Sequence, residues 1–239
     1  MGKRLSRKER RKIVEESLGI GEIPWDKFTS GVYNYCDRWC EKCDPDKKER
    51  CFLFYSEEKE ETDYNDSNAA LNHMGKSFSK THDLIEKIAE AEGLNLEITK
   101  SDEKEFEKFE RLTNPSKELL YLSAKEITDS AAKWLLEVPS LDFADYQESY
   151  DELFWHHSLV LTKVYRSLFS KKEADVEKED MKNFSLEDSK NSAWVALRSA
   201  KICKNSLELM DRFVRDARIK EMAAKYDELT RLIEETLLS

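Results

Sequence analysis

Five stretches of this chain place apolar residues at steps of three and four, and that spacing restricts them to helices with one buried face. The first runs Leu71, Met74, Phe78, Thr81, Ile85 and Ile88. The second is Leu120, Ala124, Ile127, Ala131, Trp134 and Val138; the third is Tyr146, Tyr150, Leu153, His157, Val160, Val164 and Leu168. Ala193, Ala196, Ala200, Cys203, Leu207, Met210 and Val214 form the fourth, and Ile219, Met222, Tyr226, Leu229 and Ile233 the fifth. Each such face needs a partner, so the spacing predicts an all-α protein, a multi-helix bundle. The supply of turn residues agrees. With 6 Gly and 4 Pro in 239 residues, the chain lacks the tight turns of a doubly wound sheet or a β-barrel.

Helix ends have local signals. Gly93 should end the first stripe and Pro139 the second, because proline cannot sit in a helix interior. Asn114 before Pro115 reads as an N-cap, and Ser185 with Asp188 as a capping box. The charged stretch from Lys171 to Lys182 reads as a loop. A short helix from Ser101 would turn Phe106, Phe109 and Leu112 inward.

Charge bounds the function. Hydrophobic residues at 39% supply a core, while 38% charged residues match the solvent faces of long helices. A net charge of −10 disfavours general binding to a nucleic-acid backbone. The exception is a basic N-terminal arm, residues 1–15, with Lys3, Arg4, Arg7, Lys8, Arg10, Arg11 and Lys12. It carries no aromatic for stacking and reads as a solvated, mobile terminus rather than an anion or nucleic-acid contact. No apolar run approaches the ~20 residues of a membrane span, and no apolar leader opens the chain. The expected location is cytoplasmic, with a protein partner and no membrane. Three segments follow: the arm at 1–15, a cysteine-rich metal-binding region and linker at 16–66, and the helical bundle at 67–239.

Within the second segment, Cys36, Cys40, Cys43 and Cys51 give the spacing C-x3-C-x2-C-x7-C. Four of the five cysteines fall within sixteen residues, close enough for the thiolates to converge on one ion or cluster. A disulfide framework needs an oxidising compartment, and nothing in the sequence signals export. Four thiolates with no open position form a closed, structural zinc site, the preferred reading of this small knuckle. The same gaps suit a [4Fe–4S] cluster, which Tyr35, Trp39, Phe52 and Phe54 would shield. The first three cysteines also match the C-x3-C-x2-C of radical S-adenosylmethionine enzymes. That match ends there: Lys42 stands where those enzymes place an aromatic, and a fourth cysteine would occupy the cofactor's iron position.

Other candidates are weaker. Glu148, Glu152 and His156 step by four along one helical face, but none of the four histidines has Glu three residues before it. They read as a surface Glu–His pair, with His157 as the core histidine. Cys203 reads as a small core hydrophobe rather than a nucleophile. Ala193, Ala196 and Ala200 let a neighbouring helix approach closely.

The run Tyr35-Cys-Asp-Arg-Trp-Cys-Glu-Lys-Cys43 with Cys51 resembles the signature of a bacterial group of uncharacterised, mostly helical proteins. Phe154-Trp-His-His157 and Ser192-Ala-Trp-Val-Ala-Leu-Arg-Ser199 would be the helical counterparts. The resemblance could span residues 30–235. It implies a bacterial, cytoplasmic protein and brings no established activity. Two functions are therefore expected: a non-enzymatic interaction module stapled by the metal knuckle, or an iron–sulfur enzyme or redox protein with a pocket near Trp155, His156 and His157.

Overall fold

The computed structural model describes residues 5–18, 22–29, 31–32, 36–58, 67–176 and 179–239. Among these, the ordered elements are all helical, and no strand occurs. They are α1 (Arg7–Leu18), α2 (Pro45–Glu49), α3 (Phe52–Glu58), α4 (Ser67–Glu92), α5 (Lys100–Thr113), α6 (Leu119–Glu137), α7 (Ala144–Val176), α8 (Glu179–Met210) and α9 (Ala217–Ile233). No described helix is long and apolar enough to cross a membrane.

The chain divides into two compact units, and α5 spans the boundary between them. The first contains Met1–Val32 and Cys40–Glu103; the second contains Tyr33–Trp39 and Lys104–Ser239. Sequence segments and compact units thus partition the chain differently. The helix α4 groups with the N-terminal part, and a short piece beside the cysteines groups with the C-terminal helices.

In the first unit, α1 packs along α4. Arg10 binds the Glu92 carboxylate at 2.6 Å, and Leu5 N donates to the same oxygen at 3.1 Å. The helix starts at a capping box: Ser6 N donates to Glu9 Oε2 at 2.7 Å, and Glu9 N to Ser6 Oγ at 3.3 Å. From Arg7 onward the basic arm is therefore a docked helix and not a mobile terminus, because Ser6 and Glu9 supply a local start signal. Lys3 and Arg4 lie outside the described residues. Trp25, Phe28, Phe52 and Tyr55 form a small aromatic cluster, with ring centroids 5.1 to 5.5 Å apart. Gly93 ends α4 with φ 68°, and Leu94 N reaches back to Ala89 O at 2.8 Å. Of the polar run at 57–66 expected as the linker, Glu57 and Glu58 belong to α3, and 59–66 lie outside the described residues.

The apolar stripe of α4 is not a buried face. Leu71, Met74, Phe78 and Ile85 are exposed, while Ala89, outside the stripe, is buried. Similarly, in α5 Phe109 packs edge-on against Phe169 at 6.2 Å, while Phe106 and Leu112 stay exposed. A helical period shows that a face exists. It does not show that a neighbour covers it.

The second unit holds the main core. Its helix α6 packs on α7, α7 on α8, α8 on α9, and α9 returns to α6, closing a four-helix bundle. The second to fifth stripes form its interior: Trp134, Leu153, Val160, Leu207, Ile219 and Tyr226 are essentially inaccessible. Two buried aromatic side chains find partners for their polar tips. The Trp134 indole donates to Asp216 Oδ2 at 3.0 Å, and Tyr146 OH donates to Pro139 O at 2.6 Å. Asp216 also caps α9 by accepting from Arg218 N at 2.9 Å.

Three boundary expectations are corrected here. The loop at Lys171–Lys182 is instead helix to Val176 and again from Glu179, since Lys and Glu are good helix formers. Asn114 makes an Asx turn, accepting from Ser116 N at 2.8 Å, and α6 begins later, after Glu118. Ser185 and Asp188 are interior to α8. There Asp188 accepts the Arg166 fork at 2.9 and 3.0 Å and Ser170 Oγ at 2.8 Å, a tertiary use that displaces the local one.

Candidate functional site

The α7–α8 pair carries an unforeseen pattern. On α7, Tyr146, Leu153, Val160, Ser167 and Ala174 alternate with Ser149, His156, Lys163 and Ser170 at steps of three and four, all buried. On α8, Ser189, Ala196, Cys203 and Met210 alternate with Ser185, Ser192, Ser199 and Ser206. This is a coiled-coil seam in which one column on each helix is polar. The helices run antiparallel, as three contacts show: Ser206 Oγ to Glu152 Oε2 at 2.9 Å, His156 Nδ1 to Ser199 Oγ at 3.1 Å, and Ser167 Oγ to Ser189 O at 2.8 Å. Small serines and alanines let the backbones approach, and the polar contacts fix the register.

Above His156 sits the piece of the cysteine motif that belongs to this unit. Asp37 Oδ1 accepts from Trp39 N at 3.1 Å, turning the chain, and Arg38 takes φ 62°. That left-handed conformation costs a non-glycine residue about 1 kcal/mol, so surrounding contacts must hold it. The Trp155 indole donates to Asp37 O at 3.0 Å. Arg198 on α8 pairs with the Asp37 carboxylate. The Trp39 ring stacks on Trp155 with centroids 5.6 Å apart and meets His156 edge-on at 5.7 Å. Residues Cys36–Trp39 thus form a hook lying on α7 and α8.

Burial under this hook pushes the His156 imidazole down to about 4, helped by Arg198 and opposed by Asp37. It is neutral near pH 7. The expected roles of the two histidines are exchanged: His156 is the core residue, while the half-buried His157 turns Nδ1 to the Phe154 carbonyl at 2.7 Å. The cause is the register of the seam, which runs through His156. Glu148 is exposed and Glu152 serves Ser206, so no carboxylate–histidine cluster forms from Glu148, Glu152 and His156. One heptad on, Lys163 is buried, and burial lowers its pKa. Cys36 and Asp37 are among the groups that favour its charge. Cys203 fits its core reading: burial pushes its thiol up to about 12 beside the Tyr226 hydroxyl.

The expected ligands are distributed over both units. Cys36 belongs to the second, and its Sγ accepts a hydrogen bond from Arg38 N at 3.2 Å. Cys40, Cys43 and Cys51 belong to the first. Cys40 opens a 3-10 turn closed by Cys43 N to Cys40 O at 3.3 Å; Cys51 is buried, its Sγ accepting from Phe54 N at 3.5 Å. No disulfide joins any of the five cysteines. Among the described residues, the three donors lying within 4.8 Å of one another belong to His82, Asp83 and Glu86, exposed on α4. Cys40, Cys43 and Cys51 are not gathered in this way. Of the expected aromatic shield, Phe52 packs with Trp25 and Phe28, and Tyr35 lies outside the described residues.

Sequence reasoning missed Asp37, Lys163, Arg198 and Ser199 as partners. The signal was available in the seven-residue spacing of Ser185, Ser192, Ser199 and Ser206 and of Ser149, His156, Lys163 and Ser170. It also discounted the basic arm for want of an aromatic, yet the fold brings Trp25 under Arg11, with the guanidinium carbon 5.2 Å from the ring centre. Comparison with family models, with curated proteins and with solved structures finds no match.

Proposed function

We propose that this chain is a metal-binding helical protein in which Cys36, Cys40, Cys43 and Cys51 hold one zinc ion in a closed structural site. Its role is that of a non-enzymatic module for binding another protein. The observation that carries the metal reading is the crowding of four cysteines at C-x3-C-x2-C-x7-C, joined by two backbone N–H groups aimed at sulfur. Such N–H groups hold a sulfur in a fixed orientation, as outer partners of metal ligands do. The donor chemistry therefore fits zinc. Closing the site requires Cys40, Cys43 and Cys51 to come together, and metal binding supplies folding free energy for that movement. The interaction reading is supported by the exposed apolar face of α4, where Leu71, Met74, Phe78 and Ile85 meet solvent.

Metal analysis of freshly purified protein tests the proposal. One zinc per chain, reduced in Cys40→Ser together with new protease cleavage between residues 20 and 60, is the expected result. Unchanged metal content in that variant would refute the ligand set. An iron–sulfur cluster is the alternative, and a brown, anaerobically purified protein absorbing near ~400 nm would establish it in place of zinc.

A further inference from the structure

Residues 3–12 carry seven cations and one acid, Glu9, in a chain whose net charge is −10. The start of α1 is thus a local reversal of charge. On this helix Lys8, Arg11 and Lys12 fall at steps of three and four and share one face. That face forms one wall of a cavity of about 690 Å³, and residues 22–27 form the other with Ile23, Pro24, Trp25 and Lys27. Arg11 is held ready there. Its guanidinium carbon lies 5.2 Å from the centre of the Trp25 ring. Trp25 is itself fixed, stacked on Phe52 at 5.1 Å and donating its indole N–H to Glu15 Oε1 at 2.7 Å. A stacked guanidinium keeps its N–H edge free for an oxyanion. The fully exposed Asp26 carboxylate is 3.9 Å from Arg11, too far to hydrogen-bond. Of the cavity's other acids, Glu15 also accepts from Ile23 N at 3.2 Å, Glu9 caps α1, and Glu22 is exposed on the opposite wall.

We propose that this cavity is a binding site for a phosphorylated small molecule. Lys8, Arg11 and Lys12 take the phosphate, while Ile23, Pro24 and the edge of Trp25 take the organic body. Three cations on one face select a multiply charged oxyanion over a single carboxylate, and Arg11 adds a bidentate fork. The volume falls within the range of small-molecule pockets, about 300 to 1,000 Å³. A nucleic-acid strand fits less well, because the chain's net charge repels a polyanion beyond the reach of this face. The site lies in the first compact unit and uses none of the four cysteines, so it stands or falls apart from the zinc reading.

Nuclear magnetic resonance of the full-length, isotope-labelled protein tests this. The 5 tryptophans give separate indole N–H signals, and Trp25→Phe identifies the one at the cavity. Titration with adenosine diphosphate at low salt should shift the Trp25 signal saturably, and added salt should weaken binding. Arg11→Gln should weaken it about tenfold or more. Arg11→Lys keeps the charge but loses the fork, and should weaken it less. Glu22→Gln removes an acid from the opposite wall and should tighten it. Circular dichroism matching the wild type shows that each variant folds. A Trp25 signal unmoved by the diphosphate, or equal affinity in Arg11→Gln, overturns the proposal. So does weaker binding in Glu22→Gln, which would assign the cavity to a cationic ligand. A thymidine oligonucleotide that binds more tightly than the diphosphate overturns it too, and would make the face a nucleic-acid contact.

Discussion

Replacing His156 with Asn removes a titrating ring while leaving a polar atom for Ser199, and its consequence can be worked through. Well above pH 6.5 the imidazole is neutral whether the chain is folded or not, so it contributes no pH dependence there. Below that value the unfolded chain takes up a proton, but the folded chain resists until about pH 4. The unfolded state binds more protons throughout this window, so stability falls as pH is lowered. With values of 6.5 and about 4, the loss from this one group is about 1.4 kcal/mol at pH 5.5 and about 2.6 kcal/mol at pH 4.5. Urea unfolding followed by far-ultraviolet circular dichroism, at pH 7.5, 5.5 and 4.5, measures it as the difference between wild type and His156→Asn. The variant should lose less stability than the wild type by these amounts. Parallel pH dependences would refute the argument, because they would mean that Trp39 and the α7–α8 seam do not keep His156 from water.

Two further predictions concern the bundle. Asp216→Ala should cost about 2 to 3 kcal/mol by urea unfolding, because it strips the N-cap of α9 and leaves the Trp134 indole without its acceptor. Hydrogen bonds from Arg218 hold the Asp216 carboxyl below the usual range, so its contribution is present at neutral pH and fades in acid below about pH 4. Ala196→Leu should destabilise by about 1 to 3 kcal/mol, visible as a lowered melting temperature, since Ala196 is fully buried in the seam where α7 approaches α8.

Most of the bundle was legible because its residues obey one period. Ile127, Leu153, Leu207 and Leu229 are buried as their spacing requires. The stripe on α4 failed for a physical reason: period fixes a direction around the helix axis, while burial needs a neighbour, and nothing local encodes one. The candidate site was legible by halves. The cysteines announced themselves by crowding, and their gathering by metal stands as a proposal. Its other half, the seat on α7 and α8, was masked because serine, histidine and lysine read as solvent-facing types. Their burial depends on a second helix that offers serine and alanine at the matching positions.

By itself, the sequence determined that this chain is helical, that its C-terminal helices share a core, and that four cysteines lie close along the chain. Those properties follow from backbone period, side-chain polarity and covalent distance. Only the tertiary structure decided which histidine is buried, that Asp37 meets Arg198 across 161 positions of sequence, and that Trp39 lies on Trp155. Such choices depend on the register between packed helices. Register is set by how whole surfaces interlock, a property that no single stretch of sequence carries.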